Sequence, residues 1–229
     1  MTDERWTGPV ADGGGSFPIM KSTPQFAGKV WAIRTDLLDF NGRMIERDIV
    51  VHPGAVAIIA IDEQDRVLLI RQYRHPIGMY IFEPPAGLLD IAGEHPLHTA
   101  ARELAEESGF EASEWHTLVD FLNSPGGSSE AIRIYLARGL NELSEGRPQT
   151  GEAEEMFLPR IWVDLDEAKD LVLSGKVSGP TAVAGILGAW SSREHGWQGL
   201  RDAYAPWSMR DALLGSGRIP LNFNKNDLA

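Results

Sequence analysis

The sequence predicts an α/β layered domain with a mixed β-sheet, preceded by an N-terminal antiparallel β-strand region. Three features carry that expectation. Strand-like apolar runs come first, one strongly amphipathic helix stands mid-chain, and further strands and then helices follow it. Residues 1–25 hold Gly13, Gly14 and Gly15 with Pro9, Pro18 and Pro24, and read as a flexible or irregular arm. Residues 29–35 and 43–51 read as strands joined around Asn41-Gly42, a dipeptide that tolerates the positive φ of a tight hairpin turn. They define a strand region over residues 26–52, ahead of a main domain over residues 53–193. Residues 54–61 and 66–71 are strands flanking a turn, and residues 80–83 lead into Pro84-Pro85-Ala86-Gly87.

The central helix follows. Leu97, Ala100, Ala101, Leu104, Ala105 and Ser108 recur at helical spacing as its buried stripe. Pro96 suits the first turn, and Gly109 the left-handed position after the last. Strands are expected near residues 115–122 and 131–137, with a turn at Pro125-Gly126-Gly127 between them. A polar loop then spans 144–155 and a strand 156–163. Asp164 caps a short helix to residue 173, and residues 180–193 form the last one. The tail, 194–229, is rich in Gly, Trp and Arg without a clear period, and is expected to pack peripherally or to be partly disordered.

Composition narrows the function. At 229 residues, 43% hydrophobic and 24% charged, the chain has ample core material. No apolar run approaches the ~18 residues of a membrane span, and no apolar stretch near the start reads as a secretory signal. No membrane partner is expected, and cytoplasm is the default location. The absence of cysteine excludes disulfides and thiolate zinc sites. His52, His75, His95 and His98 lack metal-ligand spacing, which argues against histidine catalysis. A formal charge of −12 argues against duplex nucleic acid as a partner. It does not exclude a small anionic substrate, because a bound divalent ion would dominate the local field.

The central helix carries the chemistry. Arg102-Glu103-Leu104-Ala105-Glu106-Glu107-Ser108-Gly109 places three carboxylates on one side of it, Glu103 and Glu107 being four residues apart. Like charges at that spacing repel by about 0.2–0.5 kcal/mol per pair, so the pattern makes most sense around a cation. All-oxygen ligands point to a hard ion such as Mg2+, with Mn2+ or another divalent ion as the alternative.

These residues resemble the Nudix box: Gly87, then Glu94, then Arg102-Glu103-Leu104, Glu106-Glu107 and Gly109-Phe110. Two departures stand out. Six residues rather than five separate Gly87 from Glu94, and Phe110 is aromatic where the family prefers an aliphatic residue. The extra residue falls in a loop, where lengthening costs little. Pro125, Arg71-Gln72-Tyr73-Arg74 and Glu83-Pro84-Pro85-Ala86-Gly87-Leu88 narrow the resemblance to the bacterial ADP-ribose pyrophosphatases, over roughly residues 28–190.

The resemblance implies a Nudix α/β/α sandwich and Mg-dependent hydrolysis of ADP-ribose to AMP and ribose 5-phosphate. Another nucleoside diphosphate derivative is the runner-up substrate, and a non-catalytic ADP-ribose sensor is the other class. Glu103, Glu106, Glu107, the Ala86 carbonyl and Glu154 are the expected metal ligands, with Arg102 orienting the glutamates. Arg74 and Arg71 are expected to clamp the diphosphate, and Ser128, Ser129 and Glu130 to meet ribose hydroxyls. Glu83 contacts substrate or pairs with Arg102. Glu152 in the acidic loop is the expected base, with Glu155 as another candidate metal ligand; a merely solvated acidic loop is the competing reading.

The apolar residues Trp31, Ile33, Ile45, Ile49 and Val51 exceed what a detached hairpin stabilises. By the same resemblance a homodimer is expected. Trp31 would stack on adenine, or serve only as interface or core, and Arg47 would reach the base from across the interface.

Overall fold

The structure is a computed structural model that describes residues 5–13, 15–148 and 158–219. Its first sheet is antiparallel: β1 (Ile19–Ala27), β2 (Ala32–Phe40) and β3 (Arg43–Val51), in that order. Asn41 and Gly42 make the β2–β3 turn with φ of 54° and 83°, as the dipeptide predicts. β1 begins inside the stretch expected to be an irregular arm. It is an edge strand, which tolerates Pro24, and its pairing shifts register between Pro24 and Phe26. The end of β3 docks onto the main domain, the Val50 N–H donating to the Gly127 carbonyl at 2.8 Å and the Val50 carbonyl accepting from Ser129 N–H at 3.0 Å.

The main domain contains β4 (Ala55–Ala60), β5 (Arg66–Arg74), β6 (Met79–Glu83), β7 (Ala86–Leu88), helix α1 (Pro96–Ser108), β8 (Phe110–Leu122) and β9 (Ala131–Glu142). It continues with β10 (Arg160–Asp164), α2 (Leu165–Leu173) and α3 (Pro180–Glu194), then β11 (Arg201–Asp202) and α4 (Ser208–Gly215). One sheet runs β11-β8-β9-β4-β7 and is mixed, since β4 and β9 are parallel; a second runs β10-β5-β6.

β4 shows why the molecule is layered. Val56, Ile58 and Ala60 belong to one apolar cluster with Leu97, Ala100 and Leu104 of α1, while Ala57 and Ile59 join Ala182, Ile186 and Ala189 of α3 in the other. A strand apolar on both faces must be covered on both. Each fully buried Ile contributes about 1.5–3 kcal/mol. The result is the α/β/α sandwich.

Several boundaries differ from expectation. β8 and β9 are longer than the apolar runs suggested, because pairing with each other carries them past the core. Two members of the α1 stripe are not buried: Ala101 is exposed and Ala105 half-buried, whereas Glu103 and Glu107 are buried. β7 covers the acidic side of α1, so burial extends beyond the apolar stripe. The tail also packs more firmly than its sequence suggests. Ala203 and Trp207 enter the α1-side cluster, and Ile219 is 1% exposed.

Candidate active site

α1 starts and stops as its sequence dictates. Pro96 occupies the first turn, the His95 ring nitrogen Nδ1 accepts from Leu97 N–H at 3.2 Å, and Gly109 ends the helix at φ 73°. The helix lies so close to β7 that a Cβ added at Gly87 would overlap the Glu103 side chain. Only glycine allows that approach.

Arg102 organises the carboxylates. Its Nη1 donates to Glu103 at 2.8 Å and to Glu106 at 3.1 Å, and its Nη2 and Nε donate to Glu94 at 3.2 and 3.3 Å. Thr99 Oγ1 donates to Glu94 as well, at 2.9 Å. Partial burial disfavours the Arg102 cation, but its hydrogen bond to Glu94 and the charges of Glu103 and Glu94 outweigh this and hold its pKa above the ordinary value. Burial likewise works against the Glu94 carboxylate, and hydrogen bonds from Arg102 and Thr99 overcome it, leaving its pKa below the ordinary range. Glu103 and Glu107 are only 8% and 5% exposed. Glu107 accepts from the Ala86 N–H at 2.8 Å, which ties the helix to the turn before Gly87.

These groups line one side of a cleft of about 830 Å3. Arg74 and Glu83 line it too, paired at 2.6 Å. This corrects one reading of Glu83: its partner is Arg74 across the β5–β6 hairpin, not Arg102. Arg71 stacks on Tyr80 at 4.3 Å and is not among the lining residues. The reason is the period of a strand, which sends residues three apart to opposite faces. Gln72 shares the Arg74 face and lines the cleft.

Beside β9 stands a polar cluster of His52, Asn123 and Glu130. Asn123 Nδ2 donates to Glu130 at 2.7 Å, and His52 Nε2 lies 3.7 Å from the same carboxylate. Burial lowers the His52 pKa against the pull of Glu130. Ser129 is turned into the fold: its hydroxyl accepts from His52 N–H at 3.0 Å and is 5% exposed. Ser128 Oγ accepts from Glu130 N–H at 3.1 Å. Trp31 is 40% exposed and packs 6.2 Å from Phe26, while Arg47 is exposed and donates to the Glu46 carbonyl. Neither lines the cleft in one chain, although Val30 does. Glu152, Glu154 and Glu155 lie outside the described residues.

Sequence reading missed His52, Asn123 and Gln72. Gln72 was available from the strand period, being two residues from Arg74. His52 and Asn123 had no local signal, since they meet only through the docking of β3 on the turn before β9.

The donor chemistry suits a hard divalent ion. Among the described residues no three acidic or imidazole side chains form a metal-binding group. Mg2+ needs none, because it is commonly held by one or two carboxylates together with water and substrate phosphate. Glu103 and Glu107, buried beside the Ala86 turn, fit that pattern.

A sandwich with an acidic helix held against a glycine turn defines a class of hydrolases. Residues 51–179 match the NUDIX domain family. The chain is 43% identical over 172 residues to an ADP-ribose pyrophosphatase of Mycobacterium tuberculosis, covering 75% of this chain and 82% of that one. It is 38% identical over 159 residues to a methanol dehydrogenase activator of Bacillus methanolicus, covering 69% and 84%. An ADP compounds hydrolase of known structure superposes with a TM-score of 0.64 over 91% of this chain and all of that one; at 22% identity it supports the fold. This chain belongs to the Nudix hydrolase family.

Proposed function

We propose that the protein hydrolyses the diphosphate bond of ADP-ribose, giving AMP and ribose 5-phosphate, with Mg2+ or a similar divalent ion. The observation that carries this reading is the composition of one cleft, in which the box carboxylates, the Arg74–Glu83 pair and the His52–Asn123–Glu130 cluster share a single cavity. A nucleoside diphosphate linked to a sugar needs those three chemistries together: metal ligands, a guanidinium for phosphate oxygens, and polar groups for hydroxyls. The M. tuberculosis relative's name supports the same substrate.

Water attacks phosphorus, a P–O bond forms, the bridging P–O bond breaks, and the departing phosphate carries the electron pair. Glu103, Glu107 and the Ala86 carbonyl would hold the ion, with Glu106 and Glu154 as further ligands; when bound, it offsets phosphate charge and lowers the pKa of water. Arg102 aligns the carboxylates of Glu94, Glu103 and Glu106. Arg74 meets the diphosphate, and its guanidinium fork matches two oxygens. Glu152 is our assignment for the base that takes the water proton. Glu130, with Asn123 beside it, receives ribose hydroxyls.

A second reading keeps the chemistry and changes the substrate to another nucleoside diphosphate derivative; the different name of the B. methanolicus relative favours keeping it in view. A purely sensing domain is disfavoured by the intact set Glu94, Glu103, Glu106 and Glu107. The test compares ADP-ribose, ADP-glucose, GDP-mannose, NADH, diadenosine polyphosphates and oxidised dGTP with Mg2+. ADP-ribose is expected to give the highest kcat/KM with release of AMP. A preference of more than about tenfold for another compound, ~1.4 kcal/mol of transition-state discrimination, would overturn the substrate and leave the family untouched.

A further inference from the structure

A second cavity, of about 460 Å3, opens between the loop before α1 and the segment that carries α4. Trp207 lines it and is 5% exposed. Two guanidinium groups flank that indole, Arg133 at 4.7 Å and Arg210 at 5.8 Å from the ring centre. Their circumstances differ. Arg133 is held by both oxygens of Asp120, at 2.7 and 2.9 Å, and by the carbonyls of Ala205 and Pro206 at 2.7 and 3.1 Å. Asp120 is also shared with Arg201 at 2.7 Å. Arg210 has no ion-pair partner among the described residues, and its enclosed Nε finds no acceptor. Burial pushes its pKa below the ordinary range, against the nearby charge of Asp211.

An unpaired, partly buried guanidinium is costly in a folded chain. Arg133 and Arg201 share the one carboxylate of Asp120, and Arg210 stands beside the same indole as Arg133 with none among the described residues, in a protein of formal charge −12. The acidic groups on the cavity wall do not cancel them: Asp90 and Asp211 are exposed, and Glu94 is committed to Arg102 and Thr99. His95 adds a donor. Its Nδ1 accepts from the backbone, and burial, with His98 and Arg133 nearby, keeps its pKa low, so the neutral ring carries its proton on Nε2. The cavity thus offers donors on two walls.

We propose that this cavity binds a phosphate group, as inorganic phosphate or a small phosphate monoester, with Arg210 as charge partner and His95 Nε2–H as second donor. A tetrahedral oxyanion presents acceptors in the several directions that donors on separate walls require, which a flat carboxylate does not. The site communicates with the catalytic cleft through its loop wall. Asp90 and Ile91 line both cavities, and Glu94, on the same loop, anchors Arg102. The proposal is independent of which nucleotide the cleft accepts.

The test uses the full chain with chelator present, titrated by calorimetry with inorganic phosphate, with glycerol phosphate and with acetate. Saturable binding of phosphate or the ester is expected, and the tighter of the two identifies the source. Arg210→Met should weaken it by at least about tenfold, while Glu107→Gln leaves it unchanged. Because the substitution removes an uncompensated buried charge, the melting temperature of Arg210→Met should hold or rise. Arg210→Lys, which keeps charge but loses the fork, should retain part of the affinity. Hydrogen exchange should slow across residues 204–214 when phosphate is added. Equal affinity in Arg210→Met, acetate binding as tightly as phosphate, protection confined to the cleft, or no saturable binding at millimolar phosphate would each overturn the assignment.

Discussion

At the scale of single residues, the site depends on two features with opposite chemistry, a charged carboxylate and an absent side chain. Glu107 is buried and already bonded to the Ala86 N–H. Glu107→Gln keeps its volume and changes the charged carboxylate, our proposed ligand, into a neutral amide. Loss of groups that merely support metal ligands typically costs about 10–100-fold, so loss of a ligand itself should lower kcat by at least about 10²-fold with the melting temperature nearly unchanged. Near-normal turnover in both Glu107→Gln and Glu103→Gln at saturating Mg2+ would remove these residues from the metal site. Gly87→Ala tests the absent side chain. Its Cβ would overlap Glu103, so β7 or the carboxylate must move. Overpacking of this kind costs about 1–3 kcal/mol, and displacing Glu103, a proposed ligand, should cut activity more than the stability loss explains. Activity that follows the folded fraction alone would show that the close approach only stabilises the fold.

At the scale of elements, what the sequence revealed depended on whether the signal was local. The cap at Asp164, which accepts from Asp166 and Glu167 N–H at 2.9 and 3.3 Å, and the ends of α1 at Pro96 and Gly109 were readable because a few adjacent residues set them. The arginine–glutamate network was readable because its members, Glu94 to Glu106, lie close together in the sequence on one helix and its leading loop. β1 was not, since a proline-bearing edge strand is defined by its partner rather than by its own pattern. The facing of Arg71 away from the cleft was implicit in the strand period but obscured by treating Arg71 and Arg74 as one motif. Burial of the tail escaped for a similar reason: Trp207 and Ile219 have no period, only a surface waiting for them. The proposed base, Glu152, belongs to this scale too, since it stands in an acidic stretch outside the described residues. Glu152→Gln should lower kcat by about 10²–10⁴-fold with little change in KM. A larger loss in Glu154→Gln or Glu155→Gln, with Glu152→Gln mild, would move the base along the loop.

At the scale of the whole molecule, the N-terminal sheet leaves the chain with an unusual surface. Met20, Phe26, Phe40 and Met44, in three adjacent strands, are 58%, 55%, 44% and 53% exposed, and Trp31, in the β1–β2 connection, is 40% exposed. Single exposed apolar residues are ordinary, but here they stand at both ends of one small sheet, Phe26 against Trp31 at one end and Phe40 and Met44 beside the β2–β3 turn at the other. The sheet is not loosely tethered, since β3 hydrogen-bonds to the turn ahead of β9 and Val30 reaches the cleft wall. A second copy seated on this sheet would therefore sit close to the substrate. We propose a homodimer through this sheet, in which Trp31 and Arg47 would reach a cleft they do not line in one chain. Light scattering at micromolar concentration should give twice the chain mass of 25.2 kDa. Phe26→Glu with Met44→Glu should shift the protein toward monomer, since a carboxylate buried without a partner is strongly disfavoured. If the cleft is completed across the interface, the same double variant should raise KM for ADP-ribose more than it lowers kcat. A monomeric wild type, or a monomeric variant with unchanged KM, would show that each chain binds its substrate alone.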